Sequence, residues 1–309
     1  MDVSVICSVY NEEESVRAFY EELHSVLESL SVTFEIIFVN DGSRDQSLAI
    51  LRGIAREDAH VRVVNFARNF GHEAAMIAGI DYSRGNAVIC MDSDLQHPPK
   101  MIPQMLQCWQ DGFDVVNMVR TKRTDDSKIH QFNSRLFYKC MNRLSSVKLA
   151  ENASDFFLIS KPVAEILKTD YRERTRFLRG IVQMVGFKKN TIEYVAADRV
   201  GGKSKYSFFK LLKLSFTAVA TTSKTPLLVG IYIGLFFVLL SLVLLIYSLI
   251  MWILKTPVSG YTTLIVFMSA FAGIQLFVSG LIGLYIGYIF DEVKSRPIYI
   301  VENVIENEE

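Results

Sequence analysis

Apolar positions between Met1 and Arg120 alternate between two periods. Val3-Ser-Val-Ile-Cys-Ser-Val9 and Phe34-Glu-Ile-Ile-Phe-Val39 are short runs rich in β-branched residues, the pattern of buried strands. Between them Val16, Phe19, Tyr20, Leu23, Val26, Leu27 and Leu30 recur at helical spacing. The unit repeats. Helical patterns over 48–55, 74–82 and 101–109 alternate with strand patterns over 61–66, 87–91 and 114–119. Strands alternating with helices predict an α/β domain, a Rossmann-like and mostly parallel sheet covered on both faces. Ligands of such sheets bind beyond the carboxyl ends of the strands.

A different pattern follows. Residues 227–254 and 262–290 are apolar and carry no charge. Each is longer than the ~20 residues that span a bilayer, so the short connector between them predicts a transmembrane hairpin. Lys205, Lys210, Lys213 and Lys224 precede the first span, Lys294 and Arg296 follow the second, and the connector holds Lys255 alone. The positive-inside rule then predicts a multi-pass protein of the inner (plasma) membrane, with both termini and everything before Pro226 in the cytoplasm. The strand-like start at Met1–Val9, with no basic segment before it, agrees. Phe209, Leu212, Phe216 and Val219 share one helical face against Lys210, Lys213 and Thr217, which predicts an amphipathic helix on the bilayer. The expected organisation is a catalytic domain over 1–200, a basic loop and interface helix over 201–225, the hairpin over 226–290 and a cytoplasmic tail over 291–309. Gly230-x-x-x-Gly234 and Gly283-x-x-x-Gly287 are small-residue motifs that could join the hairpin helices or pair subunits as a homo-oligomer.

Composition narrows the function. Lysine plus arginine equals aspartate plus glutamate, 33 each, which gives nucleic-acid binding no support. Cys7, Cys90, Cys108 and Cys140 form no C-x-x-C pair and read as free thiols of a reducing compartment. The chain has neither G-x-G-x-x-G nor a P-loop. Polar and acidic residues do gather at strand ends: Tyr10-Asn-Glu12, Asn40-Asp-Gly-Ser43 and Asp92-Ser-Asp94. Asn11, Asp41 and Ser43 singly suit turns and caps, but three such ends together point to a site. In Asp92-Ser-Asp-Leu-Gln-His-Pro-Pro99 two aspartates stand one residue apart, and a cation relieves their repulsion. Carboxylates and an amide oxygen suit Mg²⁺ or Mn²⁺. An extended segment would point Asp92, Asp94 and Gln96 the same way. His97 has no second histidine or cysteine nearby in sequence and is set aside as a ligand.

Y-N-E, N-D-G-S and D-x-D-L-Q-H-P-P, in this order, resemble the family 2 glycosyltransferases of GT-A fold, in particular the polyprenyl-phosphate subgroup that includes bactoprenol glucosyltransferases and dolichol-phosphate mannose synthase. Arg68-Asn-Phe-Gly71, Ser154-Asp-Phe156, Arg174-x-x-Phe-x-Arg-Gly180 and Arg199-x-x-Gly-x-Ser-Lys-Tyr206 extend the resemblance. It implies an inverting transfer of sugar from a nucleotide sugar to a polyprenyl phosphate, with UDP favoured over GDP and the sugar left open. It also implies that Ser8, Tyr10, Asn11, Glu12, Asp41, Asp92, Arg199 and Lys205 contact the nucleotide. Asp92, Asp94 and Gln96 would hold the metal and diphosphate, with Asp94 and Asp155 catalytic. Arg120, Arg123 and Ser134 would meet the acceptor phosphate. The sequence departs from the pattern at Phe157, where an arginine is usual, and at His130-Gln-Phe-Asn-Ser134, where a more basic stretch is usual. A processive polysaccharide synthase or an inactive membrane scaffold remain alternatives; the first usually carries Q-x-x-R-W, which is missing here.

Overall fold

The computed structural model describes residues 1–120, 153–174, 177–195, 225–254 and 260–307. The expected basic loop and interface helix over 201–225 lie outside these, apart from Thr225 itself, as do Arg123, Ser134, Arg199 and Lys205.

The predicted alternation forms β1 (Val3–Val9), α1 (Val16–Glu28), β2 (Phe34–Asn40), α2 (Ser47–Glu57), β3 (Val61–Phe66), α3 (His72–Tyr82), β4 (Ala87–Asp92), a 3₁₀ turn (Pro99–Met101), α4 (Ile102–Gln110) and β5 (Val115–Arg120). Then come β6 (Ala153–Ser160), α5 (Lys161–Thr169), α6 (Leu178–Met184), β7 (Lys189–Tyr194), the long helices α7 (Thr225–Ile253) and α8 (Tyr261–Val293), and β8 (Val301–Ile305). The strands form one sheet in the order β7-β5-β6-β4-β1-β2-β3-β8. β1 pairs in parallel with both β2 and β4, so the strand order reverses at β1. β6 runs antiparallel to its neighbours β4 and β5.

Two apolar layers cover the sheet. One packs Cys7, Met91 and Phe156 against Phe19 and Leu23 of α1 and Met105 of α4. The other packs Ile6, Cys90 and Phe157 against α3. Ala74 through Ile80 of α3 are all buried, and the helix lies so close that a Cβ on Gly79 would stand 2.0 Å from Ile6 Cγ2. Glycine is needed there for approach.

The segment expected as a tail joins the sheet instead. β8 pairs antiparallel with β3. Asn65 donates to both Glu302 and Asn303, each at 2.9 Å. Arg62, 7% exposed, pairs with Glu306 at 2.7 Å and with buried Glu35 at 3.3 Å. Tyr299 stacks on Phe66 and donates to Asp81, which Arg172 also grips through both nitrogens. A short run of mixed polarity after a membrane-length helix carries little strand signal. Its partner β3 lies near the other end of the chain, which conceals the strand from local pattern.

α7 and α8 contain the apolar stretches Leu227–Met251 and Ala270–Val293, with mean hydropathy 2.9 and 1.7 and no buried share. At ~1.5 Å per residue each is long enough to cross a bilayer core of ~30 Å. A Cβ on Gly230 would stand 3.4 Å from Val278 Cγ1, so this glycine faces the other helix. Among the described residues, and apart from chain neighbours and the helix's own backbone, no atom lies within 4 Å of a Cβ built on Gly234, Gly283 or Gly287.

Candidate active site

Alternation decides which side chains can meet. Ile6, Cys90 and Phe157 face the α3 layer, and side chains two residues along a strand share a face. Ser8, Asp92 and Asp155 therefore face the same side, beyond the last apolar layer. Ser8 and Asp92 are direct register partners. Cys90 pairs with Phe157 across the antiparallel strands, so two residues further in β4 and two back in β6 bring Asp155 level with Asp92. The three meet where the strand order reverses, the place where open α/β sheets bind ligands. His72, the first residue of α3, closes the group from the helix side.

The resulting cluster is charge-balanced. Ser8 Oγ lies 2.9 Å from His72 Nδ1 and donates to Asp92 Oδ1 at 3.3 Å. His72 Nε2 is 3.2 Å from Asp155 Oδ2, an ionic contact in which the N–H is not aligned for a hydrogen bond. Arg179 grips both oxygens of Asp155 through Nε and a terminal nitrogen. Burial alone would push Asp155 up. Arg179 and His72 outweigh it and hold the carboxyl well below the usual range. Burial would likewise push His72 down, but Asp92 and Asp155 raise it to about 9. At neutral pH the Asp155 carboxylate thus faces an imidazolium and a guanidinium. Glu73, next to His72, accepts from Leu178 N at 2.9 Å and so fixes the start of α6, which carries Arg179.

The aspartate segment differs from expectation. The strand ends at Asp92, and residues 93–97 form a bend with Leu95 at φ 65°. Asp92, Asp94 and Gln96 do not lie along one extended segment. Asp94 Oδ1 accepts from Gln96 N at 3.1 Å, a local turn. His97 fastens that turn: it is buried, stacks on Phe156, and its Nδ1 accepts from Asp92 N at 2.9 Å. Its pKa is lowered because burial outweighs the nearby aspartates. Asp92, Asp155 and His72 each place one donor atom within 4.8 Å of the others. By distance alone this group could hold a cation, but His72 would first have to give up its proton, and the group shares only Asp92 with the expected ligand set.

The other expected residues separate into two groups. Tyr10 is 44% exposed just past β1, and Arg120 ends β5 opposite Tyr194. Asn11, with φ 55°, and Glu12 bind the β2–α2 loop: Asn11 Oδ1 accepts from Arg44 N and Glu12 N donates to Ser47 Oγ. Asp41 turns inward. It is 3% exposed, and its oxygens accept from Phe70 N at 2.6 Å and Gly71 N at 3.0 Å. Burial raises its pKa despite these bonds. Gly42 allows the two loops to cross: its φ is 66° and a Cβ would meet the Arg68 carbonyl carbon at 2.5 Å. Asp41 therefore positions the loop leading into His72. Sequence pattern assigns no role to His72 or Arg179. Arg179 lies within the motif 174–180 and His72 directly follows Arg68–Gly71, so adjacency to a motif is the only signal.

The Glycosyl transferase family 2 model matches residues 4–167. The chain belongs to this family and is a glycosyltransferase. It is 39% identical to an uncharacterised glycosyltransferase of Bacillus subtilis, over 97% of this chain and 93% of that protein. It is also 39% identical to a bactoprenol glucosyl transferase of Shigella phage SfII, over 98% of each. Among solved structures, glucosyl-3-phosphoglycerate synthase from Mycobacterium tuberculosis is 18% identical, with a TM-score of 0.48 over 71% of this chain and 78% of that one.

Proposed function

We propose that this protein moves a hexose, glucose in the first instance, from a UDP-sugar to a polyprenyl phosphate at the cytoplasmic face of a membrane, inverting the anomeric carbon. The carrying observation is the Ser8–His72–Asp92–Asp155–Arg179 cluster at the strand-order reversal of a family 2 domain. The same chain bears two membrane-length helices and resembles a bactoprenol glucosyl transferase along its full length. The acceptor phosphate oxygen attacks the anomeric carbon and UDP leaves from the opposite face. A phosphate monoester with a second pKa of about 6 is already largely anionic, so Asp155 has little proton to take. Held ionised by Arg179 and His72, it orients the acceptor rather than taking a proton from it. Tyr10, exposed just past β1, would cover the base, and Arg120, at the end of β5, would meet the acceptor phosphate. Mg²⁺ or Mn²⁺, held by Asp92 with Asp94 and Gln96, would neutralise the diphosphate as a leaving group.

The test incubates the detergent-solubilised protein with UDP-glucose, other UDP- and GDP-sugars, Mg²⁺ or Mn²⁺, and undecaprenyl phosphate. The expected product is a single-sugar glycolipid identified by mass. A polymer would point to a processive synthase, and metal-dependent nucleotide binding absent altogether would point to a scaffold.

A further inference from the structure

A second histidine–carboxylate cluster lies at the opposite end of the sheet, where β2 and β3 begin. His24 stands near the end of α1, one turn before Glu28. Asp58 and His60 stand in the turn between α2 and β3. His24 Nε2 is 3.4 Å from Asp58 Oδ2 and 3.8 Å from Glu28 Oε1. His60 Nδ1 is 2.9 Å from Asp58 Oδ1. His24, Asp58 and His60 each place one donor atom within 4.8 Å of the others. With Zn–N and Zn–O bonds of ~2.0–2.1 Å, the edges of a tetrahedral site measure about 3.4 Å. The His24–Asp58 contact at 3.4 Å has that length; the His24–Glu28 contact at 3.8 Å is longer, and the His60–Asp58 contact at 2.9 Å is a hydrogen bond that an ion would replace.

The cluster is also held in place. His60 stacks on Phe34 with centroids 4.7 Å apart, and His24 meets the same ring edge-on at 6.0 Å. Tyr20 donates to Asp58 Oδ2 at 3.0 Å, the kind of outer partner that orients a ligating carboxylate. Burial would raise Asp58, but bonds from His60 and Tyr20 outweigh it and hold the carboxyl below its ordinary value. The side chains of Asp58, His24, His60 and Glu28 are 9%, 30%, 49% and 57% exposed, so the anionic oxygen sits deepest and an ion can enter from solvent.

We infer that His24, Asp58 and His60, closed by Glu28, form a zinc-class metal site separate from the catalytic centre. Two imidazoles select zinc over the hard cations that suit Asp92 and Asp94. The ion would tie the end of α1 to the α2–β3 turn, a structural clamp on the side of the sheet away from the chemistry.

The full-length protein in detergent is stripped with chelator, supplied with excess Mg²⁺, and titrated with Zn²⁺ and Co²⁺. The expected result is one Zn²⁺ bound at micromolar concentration and a Co²⁺ adduct with the strong visible absorption of tetrahedral coordination, displaced by Zn²⁺. His24→Gln and His60→Gln should each abolish the adduct while keeping transfer activity without zinc. Tyr20→Phe should weaken binding about 10-fold, and Asp92→Asn should leave it unchanged. The inference is overturned if wild type binds no Zn²⁺ beyond Mg²⁺, if the Co²⁺ spectrum is weak and octahedral, or if the site survives both histidine substitutions and vanishes in Asp92→Asn.

Discussion

Both ends of this sheet bring histidine and carboxylate together, with opposite consequences. At the carboxyl end, Asp155 is gripped by Arg179 and His72 bridges it to Asp92. At the other end, Asp58 is flanked by His24, His60 and the hydroxyl of Tyr20. A guanidinium fixes the first cluster as a charged, phosphate-compatible site. The second holds two imidazoles around one carboxylate, with no guanidinium paired to them among the described residues. Partners, rather than residue types, separate chemistry from structure.

The largest expected difference between the ends is in catalysis. Asp94→Ala or Asp92→Asn should reduce transfer by at least about 10³-fold, equivalent to about 4 kcal/mol. Assay of glycolipid formation checks this, and wild-type rates in either variant would remove the metal and diphosphate role. Asp155→Asn tests the same end more finely. It should keep UDP-sugar binding, measured by calorimetry, and lose roughly 10²-fold in turnover. An equal collapse of binding would move Asp155 into the nucleotide site.

The sheet edge separates stability from catalysis. Arg62→Met leaves Glu35 buried without its cation and should cost about 3 kcal/mol, read from denaturant unfolding, with KM for the donor unchanged. A chain ended before Arg296 loses β8 and Tyr299 and should be less stable still. Equal midpoints for truncated and full-length protein would show that β8 is dispensable.

The smallest effect is a pH slope. Burial, reinforced by Asp155, raises Glu73 from 4.5 to about 6. The folded state therefore keeps this proton longer than the unfolded state. The contribution is full below pH 4.5 and is lost as pH rises toward 6. Glu73→Gln should flatten the stability profile in that window, and an unchanged slope would assign it to other groups.

Most of the catalytic unit was legible because strand and helix periods are local. The runs at β1, β2 and β4, the helical stripes of α1 and α4, and the two long apolar helices each announce themselves within a single short window of sequence. The aspartates at strand ends were legible too, since a charge after a buried run has few structural uses. The face shared by Ser8, Asp92 and Asp155 was not legible. It depends on the reversal at β1 and on β6 running antiparallel, both set by pairing between segments far apart in the chain.

By itself, then, the sequence determined the alternating strands and helices from β1 to β5, which family the chain resembles and that it carries two membrane-length helices, because hydrophobic period and motif order are properties of neighbouring residues. Tertiary structure alone decided that Asp41 serves a loop, that residues after Asp92 bend, that His72 and Arg179 join Asp155, and that residues 301–305 complete the sheet. Most of these depend on a partner distant in the chain. A hydrogen bond or ion pair is fixed by distance in space, which local pattern does not encode.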